Sequence, residues 1–113
     1  MQTYPDLVGI FANNMGNPIG VAQAVIDAGR TDQITIVGMD HDREALPDLR
    51  DGVIYCLGIQ DCYSIGFDTL QVAVKIADDV LPGTLYPEKT EKSTTIIFQQ
   101  DAEKMLELLY GEF

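Results

Sequence analysis

Apolar residues fall along this chain in two alternating patterns. Short runs with little alternation appear at DLVGIFA (Asp6 to Ala12), at the start of ITIVGMDHD (Ile34 to Gly38), at VIYCLGI (53–59, ending at Gln60) and at TTIIF (Thr94 to Phe98). The run from Ile34 predicts a strand covered on both faces, the habit of parallel sheets flanked by helices. Between and after the runs, apolar residues recur three and four apart, which predicts amphipathic helices.

The first helix has punctuation at both ends. Asn17 can cap it with its side-chain oxygen, Pro18 takes the first helical position, where a missing N–H costs nothing, and Gly29 suits the residue past the end. Ile19, Ala22, Val25 and Ile26 share its apolar face. A short second helix is predicted from Arg43 to Arg50, weakened by Pro47, since past the first turn a proline removes a backbone hydrogen bond. After the Asp51-Gly52 turn and the third strand comes the longest helix, Tyr63 to Val80, with Ile65, Val72, Ile76 and Val80 near one stripe and Pro82-Gly83 as its stop. The polar stretch 82–93 reads as an exposed connection, and a last helix begun by Asp101 carries Met105, Leu106, Leu108 and Leu109 on its buried side. Four strands alternating with four helices predict an α/β fold: right-handed βαβ crossovers and a mainly parallel sheet in three layers.

Composition narrows the function. At 113 residues the chain is at most one domain, and 46% apolar residues suffice for a core. No apolar run approaches the roughly 20 residues that span a bilayer. The opening MQTYPDL has neither a basic flank nor an apolar centre, so no signal peptide is expected in this chain. Eighteen acids against seven basic residues give a net charge of −11, which repels phosphate backbones and anionic membranes. Neither a nucleic-acid partner nor membrane insertion is expected. Cys56 and Cys62 lack the CxxC spacing of a zinc or redox site and read as two separate thiols.

In open α/β sheets ligands bind beyond the carboxyl ends of the strands. Asn14, Asp40 and Gln60 lie just past the first, second and third strands, so their side chains can converge on one rim. Such a set suits a neutral polyhydroxylated ligand: a carboxylate accepts from two adjacent hydroxyls, and each amide offers donors and an acceptor. The same residue types are also common turn and cap residues, and Asp42 is placed to start the second helix.

FANNMGNPIGVAQAVIDAGR, ITIVGMDHDREALPDLRDGVI and GIQDCYSIGF, in this order and spacing, resemble the second half of a type I periplasmic binding protein of the ribose, galactose and simple-sugar branch. The resemblance extends through YPEK to STTIIF. It implies a flavodoxin-like α/β lobe that holds a sugar without chemistry, as the substrate-binding component of an ABC transporter. Residue by residue, the sugar contacts fall on Asn14, Asp40 and Gln60, with Asn13 a further contact, and no metal or cofactor is implied. Met15 stands where the family usually has aspartate, Met39 where it has phenylalanine and Cys62 where proline is frequent. The departure at Met39 alters an apolar contact to the sugar face and so bears on which sugar is held more than on the ligand class.

The resemblance further implies a fragment of a two-lobed protein: 1–60 from the C-terminal lobe, 61–92 a helix and connection belonging to the other lobe, and 93–113 the final strand and helix. The parent is then periplasmic or extracellular, with a lipoprotein anchor compatible, and its partners are a monosaccharide and a transporter permease. Strand 6–12 loses its inner neighbour, which predicts a homodimer through that edge or a rearranged monomer. Half a site predicts millimolar affinity at best. The alternatives are the effector-binding lobe of a lac-repressor-like regulator, and a truncated scaffold with no ligand.

Other chemistries fit less well. Gly16 and Gly20 precede a helix, but Val21 stands where a phosphate loop needs its Lys-Ser/Thr pair. Asn13 and Asn14 occupy the place of a receiver domain's first acids. His41, the sole histidine, has no serine or cysteine near it in sequence and reads as an exposed loop residue, and Asp40 with Asp42 falls short of a calcium ligand set. Met105 with its leucines reads as core.

Overall fold

The computed structural model describes residues 2–78 and 91–111. Its elements are β1 (Gly9–Ala12), α1 (Asn17–Asp27), β2 (Thr35–Met39), α2 (Ala45–Arg50), β3 (Cys56–Gln60), α3 (Cys62–Ala77), β4 (Thr94–Phe98) and, after a 3-10 turn at Gln99–Asp101, α4 (Ala102–Tyr110). The strands form one sheet in the order β1-β2-β3-β4, with β1 and β2 parallel and β2 and β3 parallel. The alternation makes this an α/β protein, as the hydrophobic pattern predicts. The chain divides into two compact units, Met1–Ile59 with Thr95–Phe113, and Gln60–Thr94.

In the first unit one core joins the sheet to α1, α2 and α4. Val25, Ile36, Leu46, Leu49 and Leu57 are fully buried there, each contributing about 1.5–3 kcal/mol of hydrophobic stabilisation. The register places Ile10 beside Ile36 on the core face of the sheet, while Phe11, Val37 and Cys56 form a row on the opposite face. Phe11 in that row is exposed and Cys56 is buried, which pushes the Cys56 thiol pKa up. Tyr55 meets Phe98 edge-on, with ring centroids 5.8 Å apart.

Several expected boundaries shift for local reasons. Asn17 does not cap α1: it is the first helical residue, and its backbone N–H donates to Asn14 Oδ1 at 3.0 Å. An asparagine three residues upstream thus supplies the acceptor. Gly29 follows α1 with φ +63°, the left-handed position expected of it. Pro47 costs α2 little, because the helix begins at Ala45 and the proline sits in the first turn, where N–H groups have no intrahelical partner. Asp42 starts that turn, with Oδ1 accepting from Glu44 N at 2.8 Å.

Apolar faces are narrower than their spacing suggests. Ile26 is exposed beside buried Ala22 and Val25 on α1. On α4, Leu106 is buried and Met105 half-buried, while Leu108 and Leu109 are exposed.

In the second unit, Asp61 caps α3 by accepting from Ser64 N at 3.0 Å. Hydrogen bonds from the Ser64 side chain and backbone hold the Asp61 carboxyl below the usual range, helped by the charge of Lys92. Lys92 forms an ion pair with Asp68. No α3 side chain is buried, so the expected stripe of Ile65, Val72 and Ile76 is at most half-covered. Val80, the Pro82-Gly83 stop and the YPEK segment lie outside the described residues.

Candidate functional site

The β1–β2 register pairs Ala12 with Gly38. Asn13 and Asn14 follow the end of β1 and Asp40 the end of β2, so all three lie just past the carboxyl ends of adjacent parallel strands. The structure therefore brings Asn13, Asn14 and Asp40 to one edge of the sheet in the first unit. Gln60, the last residue of β3, falls in the second unit and is exposed.

Two bonds shape the Asn13–Asn17 turn. Asn14 Oδ1 accepts from Asn17 N, and Asn13 Oδ1 accepts from Asn17 Nδ2 at 3.2 Å. Because an amide nitrogen cannot accept from a backbone N–H, the first bond fixes the orientation of the Asn14 side chain. Its oxygen is committed to the helix, leaving the NH2 group as the part of the side chain suited to donate to a ligand. Both asparagines are exposed.

Asp40 is the one non-glycine among the described residues with positive φ, at 69°. Aspartate visits this left-handed region at lower cost than most residues, but the conformation is still strained and such strain clusters at functional sites. It is held by the Asp40 N–H, which donates to Gly58 O of β3 at 2.7 Å. Asp40 is half-buried. The residue before it, Met39, is half-buried on the same sheet face as Phe11, and Met15 is exposed in the first loop.

Two features of the site escaped the sequence pattern. A β-carbon on Gly38 would stand 2.8 Å from Pro18 Cγ and 2.7 Å from Leu57 Cδ2, so only glycine lets the start of α1 settle on the end of β2. A Pro at a helix start paired with a Gly at a strand end was the available signal. His41 is the second. It is half-buried, not exposed: its carbonyl accepts from Tyr110 Oη at 2.8 Å, and its shielded Nδ1 has no hydrogen-bond partner among the described residues. The bond ties the loop after Asp40 to the last residue of α4.

A cleft of about 510 Å³ lies elsewhere, between α2 and α4. Its lining mixes Arg50 and Lys104 with Glu103 and Glu107, and Arg50 is already paired with Asp51 at 2.9 Å. Among the described residues, no three His, Cys, Asp or Glu side chains gather as a metal site, and no helix is long and apolar enough to cross a membrane.

The profile of the periplasmic binding protein domain matches residues 1–79, which takes in both asparagines, Asp40 and Gln60. This chain belongs to the periplasmic binding protein family. Among its relatives, the ribose import binding protein of Bacillus subtilis is 26% identical over 104 residues, covering 92% of this chain and 31% of the relative. The D-ribose/D-allose-binding protein of Pseudomonas aeruginosa is 30% identical over 76 residues, covering 67% of this chain and 24% of its own length. The crystal structure of a glucose-galactose binding protein from Geobacillus stearothermophilus superposes with a TM-score of 0.79 at 25% identity, covering 88% of this chain and 34% of that one. The chain thus spans a quarter to a third of the relatives it matches. As a periplasmic binding protein, it places Asn14 and Asp40 at the carboxyl edge of a parallel sheet, where α/β proteins bind ligands.

Proposed function

We propose that this chain is a portion of the sugar-binding component of an ABC importer, and that it holds a monosaccharide by hydrogen bonding without chemistry. The observation that carries the reading is that Asn14 and Asp40 lie just past the ends of two adjacent parallel strands, β1 and β2, with Asp40 held in a strained backbone conformation. The Asp40 carboxylate accepts from two neighbouring sugar hydroxyls, Asn14 Nδ2 donates to a third oxygen, and Asn13 and Gln60 supply further amides. Met39 and Met15 tune which sugar is accepted, because thioethers offer soft apolar contact in place of a ring or a charge. Residues 1–60 and 93–113 derive from one lobe of the parent, and 61–92 from the other. The parent works outside the cytoplasmic membrane and delivers its sugar to a permease.

Sugar-binding relatives at 26% and 30% identity support the ligand class. The test is calorimetry with ribose, allose, glucose and galactose on the 113-residue chain and on Asp40→Asn. Heat with at least one sugar, lost in the variant, is expected. Equal heat from both proteins, or none from either, overturns the assignment.

A further inference from the structure

The turn that follows β2 is tied to β3, α2 and α4, each by a different group. Asp40 N–H donates to Gly58 O of β3 at 2.7 Å. Asp42 Oδ1 accepts from Glu44 N at 2.8 Å and its carbonyl accepts from Ala45 N, which joins the turn to the start of α2. Between these, His41 O accepts from Tyr110 Oη at 2.8 Å, a bond between groups 69 residues apart in sequence. The first tie is made by main-chain groups and the second lies within the turn itself, whereas the third depends on one phenolic oxygen. Its support is fixed: Ala102 and Leu106 are buried in the core, and α4 packs against α2 and ends at Tyr110. The φ and ψ of Asp40 lie between the anchored Asp40 N–H and the anchored His41 carbonyl, so the two bonds bracket the strained residue.

We propose that Tyr110 is a positioning residue for Asp40: its hydroxyl, acting through the His41 carbonyl, keeps the Asp40 backbone in the one conformation from which the carboxylate meets a ligand. The inference rests on the reading of Asp40 as the acceptor of sugar hydroxyls. A left-handed backbone at a residue other than glycine persists only where its surroundings over-determine it. With φ at 69°, Asp40 needs such anchors on both sides, and Tyr110 supplies the one on its far side. Without the hydroxyl the turn spends part of its time in other conformations, and the apparent Kd rises by the inverse of the competent fraction. A neutral hydrogen bond shifts an equilibrium of this kind by roughly 3- to 10-fold. Tyr110 touches no ligand in this scheme; it lowers the freedom that Asp40 has to lose on binding.

Tyr110→Phe removes the hydroxyl and keeps the ring, so the comparison is between two folded proteins. Amide hydrogen exchange is read first, without sugar. The Asp40 N–H is expected to exchange roughly 3- to 10-fold faster in the variant, while the Tyr55 N–H, which donates to Ile36 O in the same sheet at 2.9 Å, changes by less than ~2-fold. A bond that only stabilised the fold would speed both amides alike. Titration with ribose, allose, glucose and galactose is read second, and the variant is expected to bind the sugar that the parent binds roughly 3- to 10-fold more weakly. Equal affinity in the two proteins overturns the inference even if Asp40 exchanges faster, because the bond then holds the turn without serving the site. Unchanged exchange at Asp40, or equal acceleration at Asp40 and Tyr55, overturns it as well. A parent that binds none of the sugars is a different failure: it removes the sugar reading itself, and the role of Tyr110 falls with it.

Discussion

Pro18 occupies the space that a β-carbon on Gly38 would need. The nearest ring carbons stand 2.8 and 3.0 Å from that position, and Leu57 closes it from another side at 2.7 Å. This contact sets α1 down on the end of β2 and so fixes the turn that carries Asn13 and Asn14. Gly38→Ala is expected to cost about 1–3 kcal/mol in urea unfolding, since the ring, the leucine or the strand must move. A cost near zero would mean that the start of α1 sits less tightly on the strand.

Asn14 combines two tasks that substitution can separate. Asn14→Ala removes the acceptor for Asn17 N and is expected to cost about 0.5–2 kcal/mol of stability. Asn14→Asp keeps an acceptor at the helix start, where a negative charge is also favourable, but removes the amide donors. Asn14→Asp should therefore melt like the parent and bind sugar weakly. If instead both variants bind as the parent does, Asn14 is only a cap.

Asp40→Asn is the corresponding test at the strained position. Asparagine tolerates the left-handed region as aspartate does, so stability should stay within about 0.5 kcal/mol. Loss of a charged acceptor for sugar hydroxyls should weaken binding by about 10- to 100-fold. Thermal melts and sugar titrations of the same sample separate the two effects.

Acid should loosen α3 at its first turn. The folded pKa of Asp61 is lowered by the bonds from Ser64, so the stabilisation is present above the unfolded pKa and is lost as pH falls through the folded value. Circular dichroism is expected to show helix loss beginning below about pH 4. Asn can cap without titrating, so Asp61→Asn should remove part of this acid dependence, whereas Asp61→Ala should lower helicity at neutral pH as well. An unchanged acid profile in Asp61→Asn would assign the loss to other carboxylates.

Element type was legible from the chain because periodicity and turn residues agreed at most positions: β4 was expected at Thr94 to Phe98 and lies there. Boundaries drifted where one local contact outweighed the pattern. Asn17 looks like a cap because proline follows it, but Asn14, three residues earlier, reaches its N–H first. β1 was expected from Asp6 and begins at Gly9. Leu108 and Leu109 belong to the apolar stripe of α4 by spacing, yet the core contact is made by Ala102 and Leu106. Spacing says which residues share a face, not how wide a strip the neighbouring element covers. Of the candidate site, the strand-end positions were readable, because chemistry at the ends of parallel strands follows from topology. The burial of His41 was not, since its partner Tyr110 is 69 residues away in sequence.

The most direct measurement is a two-dimensional amide NMR titration of the isotopically labelled chain with ribose, allose, glucose and galactose at millimolar concentrations. A saturable shift of the Asn13, Asn14, Asp40 and Gln60 signals with at least one sugar, absent in Asp40→Asn, is the predicted result. Shifts confined to other residues, such as those lining the α2–α4 cleft, or no shifts with any sugar, would contradict sugar recognition at the ends of β1, β2 and β3.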